Sequence, residues 1–574
     1  MTARETQSAA PCPAQPTGSD ATPAATAPEG ATTAPEGATT APEGSGATHG
    51  GRLGAGSVAA MTGIALVWLV TLPRMVPSLF GDHGSYVSMA ERLLAGDRLY
   101  VDIVDNKGPL FYAELAAGRF VSPYADIAIE IGWVLIACFA VRSLARAAGV
   151  GRLVGLVAAF AGVPLVVTGN AYGPGMTHLP GVALCLAVAA LAVRRRWVLA
   201  GVLTGVLLLS KEVMMPIAVA AILTAAWHRR TWVGVARAAV SSILVAAAVL
   251  AVMWVRGELG GFADILVSNV QYADGTLSES RYGSFIGHLL NAIPEDGRGG
   301  GLITISAVLL ALLAVGRRSH RSGVRAEGAD APDAADAPDA ADAGPIATKA
   351  LVWDLTAAAL VAAALVIGAT GLWAHHSQAL YVTGCLALVL VALRLSQPDT
   401  AATPPGPVAS RQPWRAVGIV LLAAFITGGT LHPYYYLESA RELPSRVSAL
   451  GRNSVESVVL DQQPKVRTYA RAGANDDGAH AVGLRSLDLV CPRFHHYSFE
   501  GKAVFDKIFA CLPTADAVIV DENIRDEVDR PDWNAYVAQV RRLVSTGYTC
   551  VPTSRSQVCI KNNLYVAPGP TPAG

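Results

Sequence analysis

The chain has 574 residues, of which 52% are hydrophobic and 15% charged, and its 44 basic and 44 acidic side chains cancel. A soluble chain carries about 25% charge, so an ordinary soluble globular protein is excluded, and zero net charge argues against a nucleic-acid partner. No Walker A, GxGxxG, HExxH, CxxC or GxSxG signature stands in a usable context, which removes nucleotide hydrolases, dehydrogenases, zincins and serine esterases.

Residues 1–56 lack apolar periodicity, are rich in Ala, Thr, Pro and Gly, and repeat APEG at 27, 34 and 41. A proline in every copy and the lack of apolar a and d positions exclude a coiled coil. No apolar h-region of a signal peptide is present, so a disordered cytoplasmic tail is expected. Apolar runs follow at 57–79, 124–145, 151–169, 178–193, 197–211, 213–227, 233–255, 301–316, 351–372, 378–394 and 415–431. A bilayer core takes about 20 apolar residues per helix, so about eleven transmembrane helices are expected, although 178–193, 197–211 and 213–227 are short. If the N-terminus lies in the cytoplasm, alternation puts every arginine cluster inside. These are Arg142, Arg146 and Arg152; Arg194 to Arg196; His228 to Arg230; Arg317, Arg318 and Arg321; and Arg394, Arg411 and Arg415. The positive-inside rule requires that arrangement.

The same alternation puts outside the membrane the loop 81–122, the turn 169–177, the loop 257–300, the turn 375–377 and everything beyond 432. Loop 317–350 contains ADAPDAADAPDAADA and is expected to be a disordered cytoplasmic linker. Beyond 432 short apolar runs such as Ala517 to Val520 alternate with helical spacing over Asn534 to Leu543. A small extracytoplasmic α/β domain is therefore expected over 432–574. Its four cysteines (Cys491, Cys511, Cys550, Cys559) are even in number, which points to two disulfides of open connectivity in an oxidising space. Cys138, Cys185 and Cys385 lie in apolar runs and read as packing residues.

The densest charge near any span lies in GDHGSYVSMAERLLAGDRLYVDIVDNKGPLFY, residues 81–112, which holds Asp82, Asp102, Asp105 and Lys107. Tyr86, Met89, Ala90, Leu93 and Leu94 form the apolar stripe of a short helix, with Ser88, Glu91 and Arg92 on the other side. Such a helix is expected in the membrane interface, polar face to water. Gly96 ends it, and Asp102 to Pro109 reads as a loop. Each residue also has a plainer role: Asp82 as an N-cap, Lys107 as a snorkelling lysine, Asp102 and Asp105 as turn residues. Lys211 and Glu212 are an adjacent pair at a span end. His375 and His376 are too few for a zinc site, and Arg281 with Tyr282 could bind an anion.

The succession DHGSY, AERLLAGDRLYVD, DNKGPLFY resembles the first outer loop of GT-C glycosyltransferases, above all bacterial members related to protein mannosyltransferases and lipopolysaccharide sugar transferases. LLSKEVMMP (208–216), TGLWAHHSQALYVTGCLALVL (370–390) and TADAVIVDENI (514–524) resemble later parts of those proteins. The resemblance implies a GT-C-like polytopic helical membrane domain over 57–431. It also implies transfer of a sugar from a polyprenyl-phosphate carrier to a glycan, lipid or protein acceptor on the outer face. In that reading Asp82 is the general base, and Tyr86, Asp102, Asp105, Lys107, His178, Arg281 and His375 bind substrate, with no cofactor and no metal. Two departures stand out, and they argue against a divalent metal site of paired acids: His83 follows Asp82 where the family often has a second acid, and the turn GNAYGPGMTHLPG offers His178 but no carboxylate. Either His83 and His178 substitute in a metal-free site, or this member diverges in donor, acceptor or activity. The competing class is a lipid-linked sugar transporter or flippase, or a non-catalytic envelope protein. Against it, the polar residues gather at span edges and no repeated halves are visible.

Overall fold

The computed structural model describes residues 55–79, 81–169, 173–267, 300–315, 345–370, 378–396, 413–427, 434–473, 481–493, 502–522, 524–528, 530–554 and 556–567. Arg281 and His375, residues 1–54 of the tail expected over 1–56 and residues 317–344 of the linker expected over 317–350 lie outside them, while Ala55 and Gly56 already belong to the first helix. Helices occupy the apolar runs: α1 (Ala55–Thr71), α4 (Ala125–Ala147), α5 (Arg152–Val167), α6 (His178–Val193), α7 (Trp197–Leu208), α8 (Met215–Arg229), α9 (Trp232–Val255), α10 (Gly300–Val315), α11 (Pro345–Thr370), α12 (Ala379–Ser396) and α13 (Pro413–Thr427). Among the described residues, five stretches are long and apolar enough to cross a membrane: 57–75, 125–147, 232–255, 349–368 and 379–396. The others are shorter. The helix α11 begins at Pro345, so the linker expected to run to 350 ends earlier, at a proline suited to a first helical turn.

Burial sorts these helices. In α12, 78% of the apolar window is buried, against 17% in α9, so α12 is central and α9 peripheral. Close packing of α7 on α9 depends on Gly201 and Gly205, a small-xxx-small pair. A Cβ on Gly201 would stand 2.1 Å from the Ala238 carbonyl oxygen, and one on Gly205 2.8 Å from that of Ser242. A π-turn at Ala158–Gly162 interrupts α5 just before Pro164, which has no N–H to continue the ladder.

Between α1 and α4 lie two shorter helices, α2 (Asp82–Ala95) and α3 (Pro109–Val121). The second was not expected. Its signal is Pro109 at the first helical position, followed by buried Phe111, Tyr112, Leu115, Ala116 and Arg119 at helical spacing.

After α14 (Tyr434–Leu450) and α15 (Val455–Asp461), the chain builds a five-stranded sheet in the order β2-β1-β3-β5-β4. The strands are β1 (Thr468–Ala472), β2 (Asp488–Leu489), β3 (Ala517–Asp521), β4 (Tyr548–Pro552) and β5 (Ser556–Lys561). The first three pair in parallel, and β5 runs antiparallel to both β3 and β4. Every residue of β3 is buried, as a central strand covered on both faces demands. Helices α16 (Lys502–Cys511) and α17 (Pro531–Gly547) cover one face, where Phe505 stacks on Tyr536 at 5.2 Å. Cys491 bonds to Cys511, and Cys550 to Cys559, its direct partner across β4 and β5.

Candidate functional site

The first turn of α2 follows Gly81, whose φ of +73° suits a residue without Cβ. Gly81 holds the N-cap position, so Asp82 is the first helical residue. One turn on, the Tyr86 hydroxyl donates to Asp82 Oδ2 at 3.1 Å. The buried Tyr86 ring packs edge-on against Phe111 and Tyr112 of α3, and the Lys107 ammonium stands 5.6 Å from its centroid. Asp82, Tyr86 and Lys107 are therefore brought together. Lys107 also donates to Asn106 Oδ1 at 2.7 Å.

Gly108 explains how the lysine reaches this point. A Cβ there would sit 2.2 Å from the Leu209 carbonyl oxygen, so only glycine lets the KGPL turn lie flat on the end of α7. The same oxygen accepts from the Leu110 N–H at 3.1 Å. This docking carries Lys107 toward Lys211, which is buried at 7% exposure and lies within electrostatic range of Lys107, Glu212 and Asp82. Lys211 packs beside Gly181 of α6, three residues from the buried His178 that opens that helix. Sequence reasoning noticed Lys211 and Glu212 but gave them no part in the site, because only the fold shows that the turn lands on them.

Lys107, Asn106, Gly108 and Glu212 form the polar end of a cavity of ≈ 210 Å³. Its remaining wall is apolar: Leu208 and Leu209, Ala246 and Leu250 of α9, and Phe262, Ile265 and Leu266 of the helical stretch 259–267. The Tyr100 hydroxyl donates to the Lys107 carbonyl oxygen at 2.6 Å and ties the loop to this wall, its ring 5.2 Å from that of Phe262. Burial, reinforced by Asp105, Glu212 and Glu258, pushes the Tyr100 phenol well above its ordinary pKa, so it remains a donor.

The other sequence candidates have different surroundings. Asp102 forms a two-pronged ion pair with Arg98, at 2.9 and 3.0 Å, and accepts the Arg98 backbone N–H at 2.9 Å. Hydrogen bonding to Arg98 holds its carboxyl below the usual range. Asp105 is buried at 5% exposure.

The expected setting of α2 in the membrane interface differs from the fold on both faces: the apolar stripe packs on protein, with Tyr86, Met89 and Ala90 at most 1% exposed. Ser88, Glu91 and Arg92 do not face water; they are 1%, 5% and 3% exposed. Their side of the helix is covered by protein. Glu91 accepts from Arg119 at 3.2 Å and from the Gly483 N–H at 2.8 Å. Arg119 also donates to Asp126 at 2.9 Å, and Asp126 meets His83 Nε2 at 3.3 Å. His83 Nδ1 faces the Gly175 carbonyl oxygen at 3.3 Å, in a space that a Cβ on Gly175 would fill. His83 thus belongs to a buried charge network joining α2, α3, α4 and the turn before α6. Among the described residues no group of three or more His, Cys, Asp or Glu side chains is arranged to hold a metal ion.

No family model matches the sequence, and no curated protein does. In structure the chain is similar to ArnT from Cupriavidus metallidurans bound to undecaprenyl phosphate, with 13% identity, a TM-score of 0.49, and coverage of 90% of this chain and 99% of that one. For ArnT in the apo state the values are 14%, 0.46, 90% and 99%. It is also similar to the archaeal oligosaccharyltransferase AglB from Archaeoglobus fulgidus in complex with an inhibitory peptide and a dolichol-phosphate, with 11% identity, a TM-score of 0.42, and coverage of 88% and 75%.

Proposed function

We propose that the chain is a membrane glycosyltransferase that takes a sugar from a polyprenyl-phosphate carrier and passes it to an envelope acceptor on the outer face. One observation carries this reading: Tyr86 joins the Asp82 carboxylate to Lys107, and Lys107 in turn lines the polar end of a cavity whose other wall is apolar. A polyprenyl-phosphate sugar has the matching chemistry, with an anionic head for the lysines and a hydrocarbon tail for the apolar wall.

In the proposed reaction the acceptor hydroxyl gives its proton to Asp82 as its oxygen attacks the anomeric carbon. The bond from that carbon to the phosphate oxygen breaks with inversion, and polyprenyl phosphate leaves. Lys107 and Lys211 stabilise the charge that grows on the leaving phosphate. Tyr86 holds one carboxylate oxygen of Asp82 in place. A single base suffices for one displacement, with no need for the paired carboxylates of a glycosidase. Undecaprenyl phosphate in the ArnT structure and dolichol-phosphate in that of AglB belong to the same lipid class.

The test is a strain lacking the gene, complemented with wild type or with Asp82→Asn. Polyprenyl-phosphate sugars and envelope glycans are compared by mass spectrometry. One lipid-linked sugar should accumulate and one glycan lose a residue, with wild type restoring both and Asp82→Asn neither. Full complementation by Asp82→Asn removes the catalytic assignment and moves a lipid-linked sugar transporter to the front.

A further inference from the structure

Besides Arg119, the polar face of α2 and the loop after it are met by one short piece of the C-terminal region, residues 481–493, at three separate points. The Gly483 N–H donates to Glu91 Oε2 at 2.8 Å, and Arg485 stands 3.6 Å from the other oxygen. Arg92 donates to the carbonyl oxygens of Leu484 and Leu487 and to Asp97 at 2.6 Å, its guanidinium 5.8 Å from the Tyr469 ring of β1. Farther along, the Val104 N–H donates to the Pro492 carbonyl oxygen at 2.7 Å, and Val104 bridges Arg493 in parallel.

The piece is itself anchored from behind. The Val482 carbonyl oxygen accepts from the Ser454 N–H at 3.0 Å, β2 pairs with β1, and Cys491 is bonded to Cys511 of α16. A buried arginine that satisfies three acceptors on two chain segments fixes both distance and rotation, because its donors lie in a rigid fork. Asp82 is on the same helix as Glu91 and Arg92, and Lys107 lies three residues beyond Val104. Any roll of α2, or drift of 97–107, changes the separation of that carboxylate from that ammonium.

We propose that residues 481–493 clamp α2 and the loop 97–107, with Glu91 and Arg92 as positioning residues; their bearing on transfer rests on the function proposed above. The sheet region thereby becomes part of the site's machinery, besides any part it has in holding an acceptor.

The test uses full-length protein in lipid nanodiscs: wild type, Arg92→Ala, Arg92→Lys, and Lys502→Ala on exposed α16 as control. Hydrogen exchange is followed peptide by peptide. Arg92→Ala should speed exchange over 97–107 by tenfold or more and leave α12 and β3 unchanged. Arg92→Lys should fall between it and wild type. Binding of undecaprenyl phosphate should stay within threefold, while glycan restoration in the complementation assay falls at least tenfold. Unchanged exchange over 97–107 overturns the clamp. Faster exchange everywhere makes Arg92 a general structural residue and overturns it too. If Arg92→Ala does not fold, Glu91→Ala against Glu91→Gln decides, since glutamine keeps an acceptor for the Gly483 N–H: equal loop exchange in the two overturns the clamp. If wild type restores no glycan, the transferase reading fails, and the exchange result still decides the clamp.

Discussion

At the scale of single residues, the candidate site depends on a glycine as much as on its charges. Gly108 lets the turn carrying Lys107 lie against Leu209, where a Cβ would meet backbone at 2.2 Å. Backbone cannot swing aside as a flexible side chain can, so Gly108→Ala should lift the turn from α7 and separate Lys107 from Lys211. Carrier binding, measured with undecaprenyl phosphate in nanodiscs, should weaken at least tenfold, with the helical circular dichroism unchanged. Wild-type affinity in this variant would mean that the lysines act independently of the docking. Asp102 supports a different kind of prediction. Arg98 holds its carboxyl below the unfolded value of about 3.9, a depressed folded pKa. The stabilisation is fully present above the unfolded value and is lost as pH falls through the folded one. Exchange over 98–102, corrected for its intrinsic rate, should be flat from about pH 7 to 5 and rise below about pH 4. In Asp102→Asn it should be raised at every pH. A rise that persists identically in Asp102→Asn would assign the acid effect to another group.

At the scale of elements, α2 shows how much of the site was legible in the sequence. Its apolar stripe and its end at Gly96 follow from local spacing and from the freedom of glycine at φ +103°, whereas its start at Asp82, ahead of that stripe, does not. The fate of its polar face does not, because spacing shows which residues share a side and says nothing of what covers it. That cover comes from Arg119 and from Gly483, 28 and 392 residues away from Glu91. The role of Lys211 was hidden for the same reason, its neighbour Lys107 arriving through a turn far back in the chain. Helix α3 was legible in principle, from Pro109 and the spacing after it, but its apolar residues merge with the surrounding loop. The buried network around Arg119 has a measurable consequence. Removing its guanidinium leaves Glu91 and Asp126 buried with less positive charge, at a cost of about 3–5 kcal/mol for a broken buried pair. Arg119→Ala should therefore lower the unfolding midpoint in nanodiscs, and Arg119→Ala with Glu91→Gln and Asp126→Asn should recover part of it. No recovery in the triple variant would mean that Arg119 matters through packing, not charge.

For the whole molecule, two independent features imply the same orientation. Arginines cluster at one set of span ends, and on the expected alternation the sheet region lies on the opposite side. That region carries both disulfides, whereas Cys138, Cys185 and Cys385 are free and buried among the apolar helices. Disulfides persist in oxidising compartments, and positive loops stay in the cytoplasm. Either feature could mislead alone, but a reversed topology would have to violate both. The orientation also bears on function, because a carrier-dependent transfer to an envelope acceptor needs Asp82 and Lys107 at the outer leaflet. Two added-cysteine reporters, in a protein with Cys12 replaced by serine, test it. Lys502 has a side chain 70% exposed on α16, and Arg194 is exposed in the turn between α6 and α7. A membrane-impermeant maleimide applied to intact cells should label Lys502→Cys at once and Arg194→Cys only after permeabilisation. The opposite pattern would put the sheet in the cytoplasm, leave the disulfides without an oxidising space, and remove the outer-face reaction along with them.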